Sequence, residues 1–224
     1  MDFRCDREVT IPVGKVTLKG ELIIPAKGTA IVIFSHGSGS SRMSPRNRKV
    51  ARQLQEMGFG TLLLDLLTPL EDEQFSNRFD IELLTRRLIG ATKWVSTLSE
   101  TLNCCLGYFG ASTGAASALK AAAELPQVNA IVSRGGRPDL AMDALSKVKA
   151  PTLLIVGSLD YEVLELNKMA YQQLTGEKKL EVVSGASHLF EEYGALDKVA
   201  EMAGRWFSRY LLPKHIPGHL KATR

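Results

Sequence analysis

The sequence predicts an α/β architecture, a mostly parallel central sheet with helices on both faces. Three observations support this. Short runs rich in Val, Ile and Leu alternate with longer segments of helical period along the chain. The 224 residues are 45% apolar and 23% charged, a globular balance that argues against disorder and against a coiled coil. There is no internal repeat, low-complexity tract or long linker, so one domain over residues 1–224 is expected.

Strands are expected at Glu8 to Pro12, Val16 to Ile24, Ala30 to Ser35, Thr61 to Leu66, Cys105 to Phe109, Ala130 to Ser133, Thr152 to Val156 and Leu180 to Val183. The first two should form an antiparallel hairpin turning at Gly14. Between the third and fourth, Pro45 to Met57 reads as a helix with Ser44 as N-cap, Pro45 in its first turn and Gly58 closing it. Further helices are expected at Phe79 to Leu98, Thr113 to Glu124, Ala141 to Leu145, Glu162 to Leu174 and Leu196 to Leu212. Thr68 to Asn77, with Glu71, Asp72 and Glu73 and little apolar periodicity, reads as a loop that overhangs the site.

Asp2, Arg4, Asp6, Arg7 and Glu8 interrupt any apolar leader, and no run reaches about 18 apolar residues, so a cytoplasmic protein without membrane association is expected. Three cysteines, Cys5, Cys104 and Cys105, are too few and wrongly spaced for a disulfide framework or a zinc site; reduced thiols and no metal are expected. Much of the net charge of +4 comes from Arg42, Arg46, Arg48, Lys49 and Arg52 and from a tail holding Lys214, Lys221 and Arg224, with His215 and His219. Without an RNA-binding motif or interleaved aromatics, that charge reads as a solvated basic face and no nucleic-acid partner is expected.

Gly110-Ala111-Ser112-Thr113-Gly114 follows one apolar run and precedes a small-residue helix. It fits G-x-S-x-G in its strand-turn-helix context, where small residues two before and two after the serine permit a sharp turn. Ser112 is then an exposed nucleophile at the carboxyl end of a strand, above a helix N-terminus that favours developing negative charge. The bland alternative is a glycine-rich turn with a capping serine.

The partners of such a nucleophile in an α/β-hydrolase follow in the order Ser, Asp or Glu, His, at later strand ends. Asp160 follows the run Thr152 to Val156, and His188 follows Leu180 to Val183. Singly, Asp160 reads equally as a helix N-cap and His188 as a surface residue; three strand ends in this order favour a triad. Two backbone donors are needed for the oxyanion, and the expectation is Thr113 together with Ser38, set between Gly37 and Gly39 in Ser35-His36-Gly37-Ser38-Gly39-Ser40. His36 is the rival base, although a structural hydrogen-bonding role suits its place before the nucleophile better.

Together these residues resemble the dienelactone hydrolase-like branch of the α/β-hydrolase superfamily, from about Val16 to Leu212. The resemblance implies the α/β-hydrolase fold with no cap domain, no metal or organic cofactor, and hydrolysis of a small ester, lactone or thioester. It assigns nucleophile, acid, base and oxyanion roles to the positions already named. One departure is Ser112, since dienelactone hydrolases proper use a cysteine there.

Arg134 to Asp139 spans only six residues between a strand and a helix, where some α/β-hydrolases insert a cap. An open, shallow site that prefers short acyl groups is expected. Arg134 and Arg137 flank Gly135-Gly136 there and suit either a clamp on a substrate carboxylate or surface ion pairs, with Asp139 as a candidate partner. Two other classes of function stay open: a nucleotide-binding doubly wound protein, disfavoured by the absence of phosphate-loop motifs, and a non-catalytic binding module on the same fold. The sequence gives no basis for an oligomeric state.

Overall fold

The computed structural model describes residues 2–212, so the tail residues Lys214, His215, His219, Lys221 and Arg224 lie outside the described residues. The strands are β1 (Phe3–Val13), β2 (Val16–Pro25), β3 (Ala30–Ser35), β4 (Gly60–Leu64), β5 (Cys105–Ala111), β6 (Val128–Arg134), β7 (Thr152–Gly157) and β8 (Lys178–Val183). They form one sheet in the order β1-β2-β4-β3-β5-β6-β7-β8. β1, β2 and β4 pair antiparallel in turn, and every pairing from β4 to β8 is parallel. The expected hairpin is present, with Val13 opposite Val16 and Gly14 at φ 60°.

Helices α1 (Pro45–Glu56), α2 (Pro69–Asp72), α3 (Ile81–Val95), α4 (Thr113–Glu124), α5 (Met142–Leu145), α6 (Tyr161–Gln173) and α7 (Ala195–Leu211) cover the two faces. Parallel strands covered on both faces need apolar residues at every position rather than alternate ones. Accordingly β3, β4 and β7 are buried along their whole length. On one face Leu54 of α1 and Val199 and Phe207 of α7 pack with Val32, Phe34, Leu63 and Phe109. On the other, Leu84 and Leu88 of α3 and Leu119 of α4 pack with Ile31, Ile33, Leu62 and Tyr108. Each such Leu, Ile or Phe contributes roughly 1.5–3 kcal/mol by leaving water.

β3 is the point at which the strand order reverses: the chain steps from it to β4 on one side and afterwards to β5 on the other. A crevice opens at the carboxyl ends of strands at such a reversal. The loops after β3 and β5, holding His36 to Ser40 and Ser112, meet there.

Two expectations change. β1 begins at Phe3 rather than Glu8, because pairing with β2 (Cys5 opposite Ile24) holds an edge strand whose Arg4, Asp6 and Arg7 face solvent. Thr68 to Asn77 is not a structureless loop: it forms α2 and then a 3-10 turn at Phe75–Phe79. Thr68 and Glu71 satisfy each other's backbone amides in a capping box, and Arg78 grips Asp72 through two bonds of 2.9 and 3.0 Å. β6 passes into a 3-10 turn (Pro138–Ala141) and the one-turn α5, with no cap domain among the described residues.

Candidate active site

Ser112 sits between β5 and α4 with φ 51° and ψ −125°, a conformation that costs a non-glycine residue about 1–3 kcal/mol. Its side chain makes no capping bond to α4, which removes the capping-serine alternative. The flanking glycines are required by contact. A Cβ on Gly110 would lie 2.5 Å from Ala115 Cα, and one on Gly114 would lie 2.2 Å from the Ser35 carbonyl oxygen and 2.4 Å from that of His36. The elbow is also tied to the strand end beside it: Ser112 N–H donates to the Arg134 carbonyl at 3.3 Å, and Arg137 N–H donates to the Ser112 carbonyl at 3.0 Å.

Asp160 and His188 come together because the loops after β7 and β8 are laced to each other. Ser158 N–H donates to the Val183 carbonyl, Leu159 N–H to that of Ala186, and Gly185 N–H to Ser158 Oγ. Gly157 makes this approach possible, since a Cβ there would lie 2.2 Å from the Ala186 carbonyl oxygen. The outcome is a 2.7 Å hydrogen bond between His188 Nδ1 and Asp160 Oδ2. Asp160 occupies the N-cap position of α6, but its side chain makes no capping bond and is given to His188 instead. The carboxylate is 13% exposed and the ring 38% exposed, so Asp160 is held inside while the imidazole is open to solvent on one side.

Phe190, with φ 58° and fully buried, anchors the His188 loop against Gly135, whose Cβ would lie 3.6 Å from His188 Cε1. The imidazole thus stands over the end of β6, the strand end to which the Ser112 amide is bonded. Among the described residues Ser112 Oγ makes no hydrogen bond to the ring. Such bonds are often loose before substrate binds.

His36 is not free to act as a base. Leu66 N–H donates to its Nε2 at 3.0 Å, which leaves the ring hydrogen on Nδ1, donated to the Gly37 carbonyl at 2.9 Å. Burial lowers its pKa below the ordinary 6.5, so it is a neutral strut between the ends of β3 and β4. The Ser38 N–H, expected as an oxyanion donor, donates to Thr113 Oγ1 at 2.9 Å. The Thr113 N–H, first in α4, has no acceptor within the helix.

The two arginines separate. Arg137 is held by Asp139 through bonds of 2.9 and 2.8 Å, the surface ion-pair alternative. Arg134 is buried with no carboxylate: Nη2 donates to Asn47 Oδ1 at 3.3 Å, Nε is buried without a partner, and the guanidinium lies 5.9 Å from the Phe190 ring centroid. Burial, with nearby Arg46 adding, pushes its pKa down to about 10. Arg42, Arg46, Arg48 and Lys49 meet Asp65, Glu191, Glu21 and Asp197 respectively, so much of the basic cluster is neutralised.

Helices long and apolar enough to cross a membrane are absent from the described residues, as are groups of three or more metal-ligating side chains. A crystal structure of a dienelactone hydrolase from Anabaena variabilis superimposes with a TM-score of 0.91 at 55% identity, covering 93% of this chain and 99% of that one. Est1E from Butyrivibrio proteoclasticus shares the fold at a TM-score of 0.77 and 16% identity, covering 90% of this chain and 98% of that one. A curated relative from Mycobacterium tuberculosis (strain H37Rv), described as a putative phosphoribosyl transferase, is 56% identical over 208 residues, 92% of this chain. The chain spans about half the length of that relative, 47%. The dienelactone hydrolase family model matches residues 18–211, from β2 to the end of α7, and the chain belongs to that family.

Proposed function

We propose that this chain is a serine hydrolase that cleaves a small carboxylic ester, lactone or thioester through an acyl-enzyme on Ser112. The observation that carries the reading is the 2.7 Å His188–Asp160 bond at the sheet edge where the strained Ser112 elbow stands. Asp160 accepts the Nδ1 hydrogen and so leaves Nε2 with a lone pair. As Ser112 Oγ attacks the carbonyl carbon, its proton passes to Nε2 and the π electrons move to the carbonyl oxygen. Collapse breaks the bond to the alcohol or thiol, which leaves with the proton from Nε2. Water then repeats the sequence and releases the acid. The Thr113 N–H is one donor to the oxyanion.

Arg134 bears on the substrate. A buried guanidinium without a counter-ion costs several kcal/mol, and a carboxylate on the substrate would supply the missing charge. Arg137 is not assigned that role, because Asp139 already holds it. The short passage from β6 into α5 puts no cap over the site among the described residues, which leaves little apolar wall and favours short acyl groups. The transferase description belongs to a relative twice as long, and nothing in the elbow or the His–Asp pair supports carrying it over. Three free thiols favour a cytoplasmic location.

The test is labelling with a fluorophosphonate followed by peptide mass spectrometry, alongside a panel of short aryl esters, lactones and acyl thioesters. The reading requires label on Ser112 and turnover of at least one class. An unlabelled Ser112 with no turnover across the panel refutes it.

A further inference from the structure

An oxyanion site in this fold needs a second donor besides the amide after the nucleophile, and the loop after β3 is its expected source. Here the Ser38 N–H is already spent on Thr113 Oγ1, 2.9 Å away. A threonine hydroxyl has two lone pairs and one hydrogen. Ser38 fills a lone pair, while the hydroxyl hydrogen of Thr113, a residue only 4% exposed, has no acceptor among the described residues. Leaving a buried polar hydrogen unused is costly unless something else comes to accept it. The bond also lies beside the nucleophile: Gly37, the neighbour of Ser38, stands so close that a Cβ on it would be 3.0 Å from Ser112 Cβ and 3.7 Å from Ser112 Oγ.

We propose that Thr113 is a catalytic residue whose hydroxyl is the second oxyanion donor, beside its own N–H. Ser38 is then a positioning residue: its amide fixes the Thr113 rotamer and polarises the hydroxyl, so that the chain from Ser38 N–H through Thr113 O–H to substrate oxygen strengthens cooperatively. No proton is transferred along it. The hydroxyl hydrogen stays on Thr113 while the carbonyl oxygen gains the electron pair displaced by Ser112. The donor is thus set before substrate arrives, which is the condition for stabilising charge that develops only in the transition state.

This inference rests on the serine-hydrolase reading, and its test separates the two. With a short aryl ester, Thr113→Val, which keeps shape and removes the hydroxyl, should lower kcat about 100-fold with KM nearly unchanged. Thr113→Ser, which keeps the hydroxyl, should stay within several-fold of wild type. A Val variant within about threefold of wild type, or one faster than wild type because the Ser38 amide is released, overturns the proposal. So does a Ser variant as slow as Val. A crystal structure of the wild-type chain with a trifluoromethyl ketone removes any dependence on how the variants fold. The hemiketal oxygen on Ser112 should sit within hydrogen-bond reach of both Thr113 N and Oγ1. An oxygen bonded to Ser38 N–H, with the Thr113 side chain turned away, overturns the inference alone; no adduct on Ser112 overturns the hydrolase reading with it.

Discussion

Replacing Gly114 by alanine adds one methyl group where the elbow meets the end of β3. That Cβ would stand 2.2 Å from the Ser35 carbonyl oxygen and 2.4 Å from that of His36, both backbone atoms at the root of the loop opposite Ser112. An ordinary carbon–oxygen contact is roughly 3.2–3.4 Å, so β3 and the start of α4 must part by about 1 Å. Overpacking of this kind costs about 1–3 kcal/mol, or roughly 2–12 °C in Tm for a chain of this size. The catalytic loss should be larger, because a displacement of about 1 Å between reacting groups costs on the order of 100-fold in rate. The assay pairs thermal unfolding with fluorophosphonate labelling rate and kcat on a short aryl ester. Gly14→Ala is the control: at φ +60° with nothing within 4 Å, it should cost about 1 kcal/mol by backbone strain alone and leave kcat unchanged. Wild-type labelling and turnover by folded Gly114→Ala, or equal losses for both variants, would refute the reasoning.

Ser112→Ala should abolish both labelling and hydrolysis with an unchanged far-UV CD spectrum; retained turnover would move the nucleophile elsewhere. Burial depresses the His36 pKa, so the unfolded chain takes up that proton more readily than the fold does. The stability from keeping His36 neutral is therefore fully present above about pH 6.5 and lost as pH falls below it toward the folded-state pKa. Chemical denaturation from pH 8 to 5 should show this decline, and His36→Gln should flatten it; parallel slopes would count against a buried neutral imidazole. Arg134→Met removes a buried charge that has no carboxylate, so stability should hold within about 1 kcal/mol or rise. The same substitution should erase any kcat/KM advantage of a carboxylated short ester over its neutral counterpart, whereas Arg137→Ala should preserve it; equal losses on both esters would place Arg134 in a structural role.

The features legible in the sequence were those set by local sterics or by chain order. Gly110 and Gly114 announce the elbow because a sharp strand-to-helix turn leaves no space for Cβ atoms, and the contacts bear that out. Asp160 and His188 are legible from chain order and strand ends, since each follows a strand that ends at the same sheet edge in the order Ser, Asp, His, and they meet at 2.7 Å. What escaped depends on single side chains. Arg134 and Arg137 look alike in sequence, yet one ends β6 and turns under Phe190 while the other meets Asp139 two residues on. The Ser38–Thr113 bond hangs on one rotamer that no spacing encodes. The helix at Pro69–Asp72 has a readable signal, Thr68-Pro69-Leu70-Glu71, which spells a capping box with proline in the first turn, although the helix is a single turn and too short to show apolar periodicity.

The short connection after β6 does more than leave the crevice uncovered. Arg134, at the end of β6, and Arg137, three residues on, grip both polar atoms of the Ser112 backbone, the amide through the Arg134 carbonyl and the carbonyl through the Arg137 amide. A segment inserted between them would have to preserve two bonds, three residues apart, that help hold a strained conformation. New specificity in this scaffold is therefore easier to reach by lengthening the α2 region, which makes no main-chain bond to Ser112. The shortness of this connection is thus a condition of keeping the serine still.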